Sequence, residues 1–122
     1  MRATAIIEGR IAQDPEVKIS KAGTTYTRFS VAVTERRRDG DTWSDGDTTW
    51  FRVTAWKSLA ETVADTMRKG DLVVVVGGVK METWEGDNGA RSDIVVSADS
   101  VGLVRAKNAS SGGRPDREEP PF

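Results

Sequence analysis

Leu72-Val73-Val74-Val75-Val76-Gly77-Gly78-Val79-Lys80-Met81-Glu82-Thr83-Trp84 is a run of branched aliphatic residues, interrupted once by paired glycines and resumed beyond them. Its unbroken apolar half predicts a strand buried along its length. Gly77-Gly78 predicts a bulge or sharp bend, because glycine inside a strand pattern marks a kink or the close approach of another backbone. Val79–Trp84 continues the strand past the bend. Gly86-Asp87-Asn88-Gly89 then predicts a hairpin turn into a last strand region, Ser92–Val104.

Upstream of this run the period changes. Leu59, Val63 and Met67 recur at i, i+4 and i+8, which predicts a short helix over residues 58–69. Ser58 and Glu61 have the spacing of a capping box, Arg68 and Lys69 fall in the last turn, and Gly70 suits a left-handed cap. Before the helix, Thr48–Lys57 alternates: Thr49, Phe51, Val53 and Ala55 on one face, Thr48, Trp50, Arg52, Thr54 and Trp56 on the other. Thr25–Glu35 alternates likewise, with Phe29, Val31 and Val33 opposite Tyr26, Arg28, Ser30, Ala32 and Thr34. A first strand over Thr4–Ala12 carries Ile6, Ile7 and Ile11; Asp14-Pro15 breaks it and Val17-Lys18-Ile19 resumes it. Residues 36–48 hold three arginines, four aspartates and two Asp-Gly pairs, and predict a long hairpin loop with a basic stem and an acidic tip.

The order is strand, strand, strand, helix, strand, strand, with a glycine bend in a long strand. That pattern predicts an all-β domain with one helix, a five-stranded Greek-key barrel of the oligonucleotide-binding (OB) kind with its helix between strands 3 and 4. The 122 residues suit one domain. Residues 1–105 form it in this reading; at residue 106 the composition turns to Lys, Asn, Ser, Gly and Pro, with no large apolar residue before Phe122, and 106–122 reads as a disordered tail.

Cysteine and histidine are both absent. Disulfides, thiolate and imidazole metal sites, and every catalytic triad built on imidazole are thereby excluded. The Asp39–Asp47 cluster lacks the spacing and distal glutamate of a calcium loop, and Glu61 and Asp65 read as a solvated helix face. No cofactor and no metal is expected, and no enzyme. No apolar run approaches the ~20 residues of a membrane span, so the expectation is a soluble cytoplasmic protein. Lys plus Arg number 18 against 19 acidic residues, and residues 1–105 alone hold 15 against 16. A polyanion-binding surface would therefore depend on how charges sort onto faces.

The face bearing Trp50, Arg52 and Trp56 is the strongest local signal. Two readings fit it: unpaired bases stack on the exposed rings beside a cation, or a neighbouring subunit covers them. Trp84, with Lys80 on the same parity, belongs to the same set, whereas Trp43 either staples the hairpin or adds a contact. The chain ends Asp116-Arg117-Glu118-Glu119-Pro120-Pro121-Phe122, an extended acidic peptide with one apolar anchor and a carboxylate, suited to a basic pocket with an apolar floor; otherwise it is a solubilising tail.

Across residues 3–105 and at its last few residues, the chain resembles the bacterial-type single-stranded DNA-binding proteins. The segments that carry the likeness are Gly9-Arg10-Ile11-Ala12-Gln13-Asp14-Pro15-Glu16-Val17, Phe29-Ser30-Val31-Ala32-Val33, Thr49-Trp50-Phe51-Arg52-Val53, Leu59-Ala60-Glu61, Arg68-Lys69-Gly70-Asp71 and the acidic Pro-Pro-Phe end. The resemblance implies an OB-fold homotetramer, nucleoid-associated, that binds single-stranded DNA without regard to sequence. It further implies recruitment of replication, recombination and repair proteins through Glu118, Glu119, Pro120, Pro121 and Phe122. It assigns base stacking to Trp50, Trp56 and Trp84. Phosphate contacts fall to Lys18, Arg52, Lys69, Lys80 and Arg91, and the arginine stem adds Arg36 and Arg37. Three departures stand out: Arg37 occupies a position where the family commonly has tryptophan, Glu82 and Thr83 replace a more basic stretch, and a linker of about ten residues is short, with Arg117 interrupting the acidic run. They leave a second reading open, a specialised short-linker paralogue that acts as an interaction module with weak DNA affinity.

Overall fold

Val73 and Val75 are fully buried while Leu72, Val74 and Val76 are only half-buried, so the apolar run that looked buried on both faces has an inside and an outside. The computed structural model describes residues 1–87 and 89–107, and for Trp84 and Arg91 the backbone alone. The tail after Lys107, with its Glu118–Phe122 tip, lies outside the described residues.

Among the described residues, six strands and one helix follow in the order β1 (Ala3–Ile11), β2 (Val17–Ile19), β3 (Thr25–Asp39), β4 (Thr42–Trp56), α1 (Ser58–Thr66), β5 (Leu72–Gly86) and β6 (Gly89–Arg105). Hydrogen-bonded neighbours run β1-β5-β6-β4-β3-β2, and β1 also pairs with β3 through Arg10↔Ala32 and Ile11↔Val31, which closes the sheet into a barrel. This is the OB-fold. The count exceeds five because Val17–Ile19 is a strand of its own, following β1 along the same edge of β3. Phe29, Val31, Val53, Val73, Val75 and Val96 fill the interior, and Val63 and Met67 reach it from the helical segment.

Of the two alternatives, the bulge is what the register shows at Gly77. Val76 pairs with Ser100 but Gly77 with Ala98, so Asp99 is an extra residue bulged out of β6. A Cβ on Gly77 would collide with the carbonyl of Ser97; only glycine allows the strands this close. The bulged Asp99 pairs with Arg2 and raises the pKa of its guanidinium.

Three local expectations are corrected. Residues 36–48 are not a loop: β3 and β4 continue as a two-stranded ribbon to Asp39↔Thr42, joined by Gly40-Asp41 with Gly40 at φ +67°. The Ser58–Glu61 capping box does not form. Cross-strand pairing of Trp56 with Tyr26, and a hydrogen bond from Lys57 N to Thr25 O, hold the chain in the sheet through residue 57. Lys57 thereby becomes the N-cap, at φ +62°, with no side-chain cap. The helix stops at Thr66 rather than residue 69. Arg68–Asp71 is instead a separate turn, tied by the Asp71 carboxylate to Arg68 N and by the Asp14 carboxylate to Lys69 N, both at 2.8 Å.

Candidate nucleic-acid interface

Register decides which side chains share a face. In β3 and β4 the outward rows are Tyr26 beside Trp56, Arg28 beside Thr54, Ser30 beside Arg52, Ala32 beside Trp50 and Thr34 beside Thr48. Lys18 of β2 extends the first row through its pairing with Tyr26. Val95 of β6 pairs with both Arg52 and Lys80, which carries the Arg52 row on to β5. One row further, Glu82 and Asp93 face each other directly.

A single-residue bulge then changes the ribbon. Between Thr34↔Thr48 and Arg36↔Asp45 one residue of β3 opposes two of β4, Gly46 and Asp47. Up to the bulge the outward residues of β4 are even-numbered; beyond it they are odd. Trp43 and Asp45 therefore join the face of Trp50, alongside Arg36 and Arg38. The guanidinium groups of those two arginines lie 5.5 and 5.7 Å from the Trp43 ring centroid, within cation–π range.

Among the described side chains, the resulting surface carries three exposed indoles, with Trp50 at 57%, Trp43 at 54% and Trp56 at 40% of full exposure. Trp56 leans on Tyr26 at 5.3 Å between centroids and 38° between planes, and Arg28 sits 5.6 Å from the Tyr26 ring. A groove beside them is lined by Lys18, Arg28, Ser30 and Arg52 together with Gln13, Asp14 and Glu16. Aromatic faces interleaved with guanidinium and ammonium groups can stack planar rings and meet phosphates at once.

Of the residues assigned from sequence, Trp50, Trp56, Lys18, Arg36, Arg52 and Lys80 share this face. Arg37 does not. It pairs with Ser44 on the reverse of the ribbon and packs over Gly46, because its odd number points it away from Arg36. Lys69 stands on the turn after the helix, its backbone tied to Asp14 of the groove lining. Trp84 and Arg91 are paired at the backbone one residue beyond Thr83 and Ser92; their side chains lie outside the described residues. Sequence reasoning assigned no contact to Tyr26 or Arg28 and left Trp43 open between a staple and a contact. Tyr26, Arg28 and Arg38 were recoverable from parity with Ser30 along β3, whereas the side of Trp43 required the bulge. Several cations are already engaged: Arg52 with Asp93 at 2.6 Å, Lys80 with Glu82 at 3.5 Å and Arg36 with Asp45 at 3.7 Å. No cluster of three or more potential metal ligands occurs among the described residues.

Residues 3–104 match the single-strand binding protein family. The chain belongs to that family. Among similar members of the single-strand binding protein family, the single-stranded DNA-binding protein of Treponema pallidum is 33% identical over 99 residues, covering 81% of this chain and 56% of that protein. That of Paenarthrobacter nicotinovorans is 34% identical over 112 residues, covering 87% and 65%. The chain thus spans less than two thirds of the length of these curated relatives. The crystal structure of the small single-stranded DNA-binding protein from Streptomyces coelicolor superposes with a TM-score of 0.77 at 29% identity, over 84% of this chain and 94% of that one.

Proposed function

We propose that the protein binds single-stranded DNA without regard to sequence, stacking bases on Trp50, Trp56, Trp84 and Trp43 and meeting phosphates with Lys18, Arg28, Arg36, Arg52, Lys80 and Arg91. The observation that carries this reading is the exposure of Trp50 and Trp56 on one barrel face with Arg52 between them. An indole left in water is costly unless a planar partner covers it, and bases on an unpaired strand supply that partner irrespective of sequence. Membership of the single-strand binding protein family, and the names of the relatives, support the same reading.

In this proposal the protein is non-catalytic and works in the cytoplasm on the nucleoid, protecting strands exposed in replication, recombination and repair. Copies assemble as a homotetramer, and Glu118–Phe122 recruit partner proteins. Among the described residues no helix is long and apolar enough to cross a membrane. A second reading, an interaction module with weak DNA affinity, is favoured by the carboxylates that already occupy Arg52, Lys80 and Arg36.

Titration with oligo-dT, followed by tryptophan fluorescence, separates the two. Strong quenching with tight binding, and much weaker binding of duplex of equal length, fits the first. Absence of quenching at micromolar oligonucleotide, with partner capture retained, fits the second. Deleting residues 120–122 should leave strand binding intact and abolish capture of helicase or recombination-mediator proteins; unchanged capture would remove the docking role of the tip.

A further inference from the structure

Glu82 of β5 and Asp93 of β6 are direct partners across an antiparallel ladder on the face just described. Like charges so placed destabilise a sheet, so sheet stability does not account for them. Each is held by a cation of the row beside it: Asp93 Oδ2 by Arg52 Nη2 at 2.6 Å, Glu82 Oε2 by Lys80 Nζ at 3.5 Å. Both cations keep much of their surface in solvent, 43% for the Arg52 side chain and 71% for that of Lys80. They stand between the aromatic rows, where a strand crossing from Trp56 towards Trp50 would pass.

From this arrangement we infer that Asp93 and Glu82 are built-in counterions which a bound strand must displace, and that they set its affinity and salt response. The inference rests on the strand-binding reading and concerns the same face. A phosphate that reaches Arg52 exchanges one anionic partner for another; it does not gain a free cation. The released Asp93 carboxylate stays beside both the phosphate and Glu82. The same exchange applies to Lys80 and Glu82. Each released carboxylate gathers a cation from solution, which offsets the counterion that the phosphate gives up. Binding at these two positions therefore contributes little to affinity or to salt dependence, and stacking carries the larger share.

The test uses the full chain with Glu82→Gln, Asp93→Asn and the double variant, titrated with oligo-dT at several salt concentrations, with thermal unfolding followed alongside. Each single variant should bind up to about fivefold tighter at low salt, the scale of a half-exposed charge contact. Each should also steepen the plot of log K against log[salt] by up to ~0.7, the value for one further phosphate on a single strand. The double variant should exceed both. Unchanged or weaker binding with an unchanged slope overturns the inference. Should Asp93→Asn lower the melting temperature, Glu82→Gln, at an exposed position, decides alone. If neither the parent nor any variant binds, the strand-binding reading itself falls, and this inference with it.

Discussion

Trp50 and Trp56 differ in what already touches them. Trp50 stands 57% exposed on its row, with Ala32 beside it, whereas Trp56 leans on Tyr26. Both rings offer a face to a base, and stacking is worth roughly 1–3 kcal/mol per base. Trp50→Ala should cost an amount near the top of that range, measured as the loss of oligo-dT affinity. Trp56→Ala should cost less, because Tyr26 remains as a platform. Trp43→Ala is expected to lose about 1 kcal/mol, since Arg36 and Arg38 keep the ribbon cationic without the indole. Each variant should also lose part of the fluorescence quench, and wild-type affinity in all three would remove the stacking model.

At the scale of strands and helix, two backbone positions carry the local strain and the local fit. Lys57 adopts φ +62° because the strand register hands the chain to the helix at that residue. Such a conformation costs a side-chain-bearing residue on the order of 1 kcal/mol or more, so Lys57→Gly should raise the melting temperature. Gly77→Ala should lower it, by ~1–3 kcal/mol in stability, since the new methyl meets backbone atoms of Ser97 and Ala98 that cannot rotate away. Thermal unfolding by circular dichroism measures both. These elements also show what the sequence could and could not convey. Alternation exposed the Trp50/Arg52/Trp56 face and the core opposite it, because each side chain in an even strand follows from its neighbour. Both Asp-Gly pairs looked like turn sites because the dipeptide favours one; the hairpin closes at the first, through Gly40-Asp41, while Gly46 of the second enters a bulge. The Ser58–Glu61 spacing was real, but a capping box needs Ser58 outside the helix, and pairing with β3 keeps it inside. Long-range register settled both cases, and no local pattern encodes it.

Taken whole, the barrel presents two unlike outer surfaces. Opposite in character to the aromatic one is the outside of β1 and the first half of β5, where Ile6 is 75% exposed and pairs with half-buried Val76. An uncovered aliphatic patch on a sheet is a natural seat for a second copy of the same chain. Ile6→Glu should therefore shift the protein towards monomer in light scattering at micromolar concentration while leaving the fold intact. A parent that is itself monomeric would contradict the proposed tetramer. The bulge at Gly46-Asp47 adds a different kind of consequence. It acts as a phase slip: β3 runs past it unbroken, so the even-numbered arginines keep their face, and the extra residue in β4 is what brings odd-numbered Trp43 round to meet them. The arm's outward chemistry is thus dictated by the unbroken strand, and β4 could lose its extra residue without Trp43 changing sides.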